Sequence, residues 1–159
     1  MTPLNLGILI SGSGSNLQAI IDSIETGSVQ AKIACVISNK PEAYGLKRAE
    51  KHNIPALVMN HRNYQNRGDF EKAMIETLDK HQVELVVLAG FMRVLTPVFI
   101  SHYPHRIMNI HPALLPSFPG VQAIEQAYDY GARFTGATVH FVDEGTDTGP
   151  IILQDTVPI

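Results

Sequence analysis

Apolar positions divide the chain into short β-strands that alternate with amphipathic helices. Two strands, at 4–10 and 83–89, are almost wholly apolar, which is typical of strands buried on both faces of a parallel sheet. Between strands, apolar residues recur at helical spacing, as at Leu17, Ile21 and Ile24. The pattern predicts strands at 4–10, 31–37, 55–58, 83–89, 106–109, 135–142 and 150–157, and helices at 17–25, 38–52, 69–81, 97–103 and 122–130.

This alternation predicts an α/β fold: a Rossmann-like, mostly parallel sheet flanked by helices. The last two strands are joined by a loop without a helix, so we expect them to be antiparallel to each other. Ligands of open parallel sheets bind beyond the carboxyl ends of the strands. The loops expected at that edge are 11–16, 90–95 and 111–120.

Length and composition predict a single domain of an ordinary globular protein, with 159 residues of which 45% are hydrophobic and 17% charged. The net charge of −3 and the lack of a Lys/Arg cluster disfavour nucleic-acid binding. The single cysteine, Cys35, fits a reducing compartment. No apolar run has the length of a transmembrane helix or the pattern of a signal peptide. We therefore expect a cytoplasmic protein that binds neither nucleic acid nor membrane.

The glycine-rich turn 11–16 predicts a phosphate site, because its glycines admit a ligand to the backbone and the following helix offers free N–H groups. A dinucleotide is disfavoured, because Leu17 stands where the third glycine of that fingerprint would be. We expect a phosphate monoester, with Ser15, Asn16 and the backbone of Gly14 as donors. The alternative is a tight strand-to-helix turn capped by serine.

Asn109 and His111 form the most informative pair in the chain. They lie two residues apart at a strand end, so both should point to one face. Three prolines and a glycine in 112–120 then prevent a regular helix or strand. A carboxamide and an imidazole beside a rigid loop suit the handling of a carbonyl oxygen, and histidine is the commonest general acid or base. By contrast, His140 alternates with apolar residues and is expected only to be partly buried.

The loop between the last two predicted strands carries three carboxylates, Asp143, Glu144 and Asp147. A carboxylate close to His111 would favour the imidazolium form of that ring. The spacing does not fit a calcium-binding loop, and no Cys/His cluster indicates zinc. We therefore expect no metal, and the alternative interpretation of this loop is a plain glycine turn.

Four motifs occur in order along the chain, namely Ser11–Asn16, Leu88–Leu95, Asn109–Pro116 and Asp143–Pro150. Together they resemble the phosphoribosylglycinamide formyltransferase family of folate-dependent enzymes, and the resemblance covers essentially the whole chain. It implies transfer of a formyl group from 10-formyltetrahydrofolate to the amine of glycinamide ribonucleotide in purine biosynthesis. It also implies that residues 1–159 form a single formyltransferase domain, without the family's C-terminal helix and present as a monomer or homodimer.

The resemblance also implies roles for individual residues. The amine would attack the formyl carbon directly, with the developing oxyanion stabilised by His111 and Asn109 while Asp147 keeps His111 charged. The catalytic residues would be Asn109, His111 and Asp147; the phosphate-binding residues Gly14, Ser15 and Asn16; and the folate-binding residues Arg67, Met92, Arg93, Val94, Leu95 and Asn109. One departure is Gln122, where many relatives have histidine.

Three alternatives remain open at this point. A formyltetrahydrofolate hydrolase would perform the same carbonyl chemistry with water as the acceptor. A methionyl-tRNA formyltransferase would need a basic RNA-binding extension. A binding module without turnover would keep the phosphate and folate sites alone.

Overall fold

The structure, a computed structural model that describes residues 2–159, is built on one seven-stranded sheet. Its strands are β1 (Leu4–Ile10), β2 (Ala31–Ser38), β3 (Ala56–Val58), β4 (Leu85–Leu88), β5 (Ile107–His111), β6 (Phe134–Phe141) and β7 (Ile151–Pro158). The helices are α1 (Ser15–Glu25), α2 (Tyr44–Lys51), α3 (Arg67–Lys80), α4 (Pro97–His102) and α5 (Ala123–Tyr130), with a 3-10 turn at His61–Asn63. Within the part of the chain that the structure describes, no helix combines the length and the apolar composition that a membrane span requires.

Strand order in the sheet is β3-β2-β1-β4-β5-β6-β7, and the first five of these strands are parallel. The centre is buried on both faces because β1 and its neighbours carry apolar side chains on both. Ile8 and Ile10 pack with Leu17 of α1 on one face, and Leu9 packs with Phe70 of α3 on the other. Helices on both faces of a mostly parallel sheet confirm the predicted fold class.

Two helices begin at other residues than the sequence pattern predicts. Helix α2 starts only at Tyr44, because the Ser38 hydroxyl bonds both the N–H and the carbonyl of Lys40 and holds that segment in a turn. Helix α3 starts two residues earlier than predicted, because the Asn66 side chain caps it by accepting from the N–H of Asp69.

The far side of the sheet is antiparallel. The β6–β7 pair confirms the predicted antiparallel ending, whereas β5–β6 departs from the crossover expected when a helix joins two strands. The connection that contains α5 leaves β5 and enters β6 at the same end of these two strands. As a result Asn109 lies directly opposite His140, and His111 opposite Thr138, so that each pair shares a face.

Cys35 of β2 is completely buried, and this burial raises the pKa of its thiol to about 11. The thiol is therefore protonated at neutral pH, and only the thiolate attacks alkylating reagents or aromatic disulfides. We expect a chromogenic disulfide to leave the folded protein unlabelled and to label one thiol per chain in denaturant. Rapid stoichiometric labelling of the folded protein would contradict this placement.

Candidate active site

A cleft of about 410 Å³ opens at the carboxyl ends of β4 and β5. The end of β5 contributes Asn109 and His111 to this cleft, and β6 contributes His140. The loop between β6 and β7, here called the acidic loop (residues 142–150), contributes Asp147. Most of the other lining residues lie in three loops; the full set is 88, 90–95, 110, 112, 120–123, 142–143 and 145–146. Two of the loops expected at the ligand-binding end of the sheet, 90–95 and 111–120, therefore line one cleft together with the acidic loop.

His111 is buried, with both ring nitrogens close to oxygen atoms. Its Nε2 donates to the carbonyl oxygen of Phe118 at 2.8 Å, and a carbonyl can only accept, so Nε2 carries a hydrogen. Its Nδ1 lies 3.4 Å from Oδ2 of Asp147. The ring and the carboxylate are therefore close enough to form an ion pair whenever Nδ1 also carries a proton, and both side chains are largely shielded from solvent.

The position of Asp147 depends on its own backbone conformation and on a hydrogen bond from the backbone of Gly120. Its Oδ2 accepts from the N–H of Gly120 at 2.8 Å, and its φ of +54° lies in the left-handed region that aspartate tolerates better than most residues. The loop folds back because Oδ1 of Asp143 accepts from Gly145 N–H and from the Thr148 hydroxyl. Within residues 2–159, no cluster of His, Cys, Asp and Glu is arranged to hold a metal ion.

His140 belongs to the site, which sequence reasoning missed. It is 2% exposed, and its Nδ1–H donates to the carbonyl of Phe141 at 2.9 Å. In the neutral ring Nε2 is then an acceptor, and it lies 3.2 Å from the Asn109 amide nitrogen and 3.7 Å from Oδ1 of Asp147. An amide nitrogen carries two hydrogens, so Asn109 keeps a second N–H for a ligand. Strand alternation in β6, combined with antiparallel pairing to β5, would have revealed this partner.

The proline-rich loop after His111 is tied to the two antiparallel strands. The Thr138 hydroxyl donates to the Ala113 carbonyl at 2.7 Å and accepts from Leu115 N–H at 3.1 Å. The Gln154 side chain donates to the Leu115 carbonyl at 2.9 Å. The Leu115–Pro116 peptide bond is cis. These contacts hold in place the first half of the loop that carries the Phe118 carbonyl to His111.

The loop with the predicted folate contacts forms another wall of the cleft. Met92, Arg93, Val94 and Leu95 all line the cleft. Met92 is 71% exposed and Val94 58% exposed, so the wall presents apolar surface to a ligand. The Arg93 guanidinium lies 5.8 Å from the centre of the Phe70 ring, which anchors the loop on α3.

Helix α3 supports this wall through a buried acid. Glu71 is 1% exposed, and its carboxylate accepts from both the N–H and the hydroxyl of Thr96, where the loop ends and α4 begins. Sequence reasoning missed Glu71 because its partner lies 25 residues away. Arg67, at the exposed start of α3, does not line the cleft, and its contact with folate stays a prediction.

A second cavity, of about 280 Å³, lies over the glycine-rich turn and is lined by residues 11–16, Lys40, Ala89, Gly90 and Met92. Gly14 is the residue before α1 and has a φ of +73°, so the loop ends at the free N–H groups of the helix. Lys40 adds a positive charge to this cavity. It was not singled out from the sequence, because only the pairing of β2 with β1 brings it here.

Comparison with known proteins identifies the family. A family model described as formyl transferase matches residues 4–159. Phosphoribosylglycinamide formyltransferase of Escherichia coli (strain K12) is 44% identical over 156 residues, covering 98% of this chain and 74% of that protein. Trifunctional purine biosynthetic protein adenosine-3 of Bos taurus is 51% identical over 154 residues, covering 97% of this chain and 15% of that protein.

Solved structures agree with these relatives. Glycinamide ribonucleotide transformylase 1 from Symbiobacterium toebii superposes with a TM-score of 0.97 at 47% identity, over 99% of this chain and 74% of that one. The chain spans only 11–15% of the length of the trifunctional relatives, and about three quarters of the bacterial ones. The chain therefore belongs to the formyl transferase family.

Proposed function

We propose that this protein transfers a formyl group from 10-formyltetrahydrofolate to the amine of glycinamide ribonucleotide in purine biosynthesis. The observation that carries the proposal is the grouping of Asn109, His111 and Asp147 in one cleft of a formyl transferase chain. The names of the bacterial relatives support the formyl group and its acceptor, whereas the folate donor is the one implied by the resemblance of the four motifs. We further propose that residues 1–159 act as one cytoplasmic formyltransferase domain, as a monomer or homodimer.

In the proposed formyl transfer, each polar group in the cleft has a defined role. The amine nitrogen bonds to the formyl carbon, the bond from that carbon to N10 of the folate breaks, and the amine proton ends on N10. In between, the formyl oxygen carries negative charge. Donors aimed at such an oxygen contribute about 3–4 kcal/mol each to the transition state. The second N–H of Asn109 is one such donor, and an N–H of His111 is the other.

His111 and Asp147 act as a pair in this proposal. Asp147 pairs with the ring of His111 when the ring carries both protons, and it takes part in moving the proton from the amine. In the present arrangement the Nε2 hydrogen of His111 is bound by the Phe118 carbonyl. Donation from Nε2 to the formyl oxygen therefore requires that carbonyl to shift, whereas Asn109 can donate without any such movement.

The two substrates have separate binding regions. We assign the phosphate of the ribonucleotide to Gly14, Ser15 and Asn16, with Lys40 as the neighbouring positive charge. We assign the folate to the loop from Met92 to Leu95 and to Asn109, with Arg67 as a more distant contact. The two cavities share Gly90 and Met92 in their linings, so ligands in the two cavities would be neighbours, as direct transfer between them requires.

The test is formyl transfer with purified protein and labelled 10-formyltetrahydrofolate. Labelled formylglycinamide ribonucleotide as the product would support the proposal, with water alone and initiator methionyl-tRNA as parallel acceptors. Release of labelled formate without the amine product would overturn it in favour of a hydrolase. Binding of both ligands without either reaction would overturn it in favour of a module without turnover.

A further inference from the structure

One buried hydroxyl links the second cavity to the loop that lines both cavities. Ser11, at the carboxyl end of β1, is 5% exposed. Its Oγ donates to Oδ1 of Asn39 at 2.5 Å and accepts from the N–H of Met92 at 2.9 Å. Asn39 is also buried, and Met92 lines both cavities. One side chain thus connects the segments that follow three adjacent strands, β2, β1 and β4.

The chemistry of the two partners requires a hydroxyl at this position. The Met92 N–H can only donate, and Oδ1 of Asn39 can only accept, so the group between them must do both. A methyl group in its place would leave a donor and an acceptor unpaired, and such groups are seldom left unpaired in a protein interior. The orientation of the hydroxyl therefore fixes the start of the glycine-rich turn relative to the loop that contains Met92.

We propose that Ser11 is a positioning residue, which sets the separation between the phosphate-binding turn and the folate loop. This inference rests on the proposed function, because the reaction joins a group anchored by one loop to a group anchored by the other. A displacement of about 1 Å between reacting groups costs on the order of 100-fold in rate. The phosphate is assigned to Gly14, Ser15 and Asn16, so Ser11, which also lines that cavity, acts in this proposal through Met92 and the turn.

The test compares Ser11→Ala with Ser101→Ala, which removes an exposed hydroxyl that bonds only a carbonyl of its own helix. We expect Ser11→Ala to lower kcat about 10- to 100-fold, with each substrate's own Kd changed less than about threefold. The control should keep the wild-type kcat. Ser11→Thr, which keeps the hydroxyl, should recover most of the lost rate, and Asn39→Ala, which removes one of the two bonds, should lose less than Ser11→Ala.

Hydrogen exchange at the Met92 amide separates this inference from the proposed function, because it needs no turnover. We expect Ser11→Ala to accelerate that exchange selectively, with thermal unfolding monitored to show that the variant folds. Faster exchange at Met92 with an unchanged kcat would overturn the positioning role. Unchanged exchange at Met92 would overturn the bond itself. An inactive wild-type protein would overturn the proposed function and leave the exchange result standing.

Discussion

His111→Ala is expected to lower kcat for formyl transfer by about 10²- to 10⁴-fold, because it removes an oxyanion donor and the partner of Asp147 together. The Kd of glycinamide ribonucleotide, whose phosphate is assigned to the other cavity, should change little. Single-turnover kinetics and calorimetric titration measure the two quantities separately. His102→Ala is the matched control, since that histidine is exposed on α4 and is not among the residues that line the cleft.

Asp147→Asn tests the same pair from the other side. The substitution is nearly isosteric, asparagine tolerates the positive φ, and its carbonyl oxygen can still accept from Gly120 N–H. The charge facing His111 is lost, so we expect a fall in kcat comparable with that of His111→Ala without unfolding. Near-normal turnover in either variant would refute the assignment of the pair.

Gly14→Ala is expected to weaken binding of glycinamide ribonucleotide by at least about tenfold, with folate binding preserved. An added Cβ would lie 2.6 Å from the backbone Cα of Gly45, which cannot move aside as a flexible side chain could. The φ of +73° adds strain of about 1 kcal/mol or more for a residue with a Cβ. The turn must shift, and the N–H groups at the start of α1 shift with it.

Gly27→Ala is a matched control for the conformational part of this effect. Gly27 has a φ of +76°, but an added Cβ there meets nothing within 4 Å. Both variants therefore carry the left-handed strain, and only Gly14→Ala carries the collision. Isothermal titration with the ribonucleotide and with a folate analogue measures both affinities. Equal loss of ribonucleotide affinity in the two variants would show that the turn does not form the phosphate site.

Much of this architecture could be predicted from local patterns. The apolar runs of β1 and β4 and the alternation in β6 depend on neighbouring residues, and all seven strands were predicted near their positions. Helix starts were less predictable, because the hydrogen bonds of Ser38 and the cap by Asn66 decide them. The antiparallel β5–β6 pair could not be foreseen, since a helix of ordinary length lies between these strands.

The residues of the candidate site also differ in whether a local sequence pattern predicts them. Asn109 and His111 stand out because both belong to one short segment. Asp147 could be separated from its two acidic neighbours only by family resemblance, since all three share one loop. Ser11 meets Met92 across 81 residues, and Asn109 meets His140 across 31, so no local pattern records either contact. Buried polar groups of this kind become visible only when their partners are known.

Because β5 pairs with β6, some side chains of the cleft are positioned by paired strands and others by loops. Asn109 and His140 face each other across a backbone ladder, so their separation is set by the sheet itself. Phe118 and Asp147, by contrast, reach His111 from loops with left-handed residues at both positions. A change in either loop would therefore alter the hydrogen-bond partners of His111 and leave the Asn109 amide in place, so these two side chains of the cleft can vary independently.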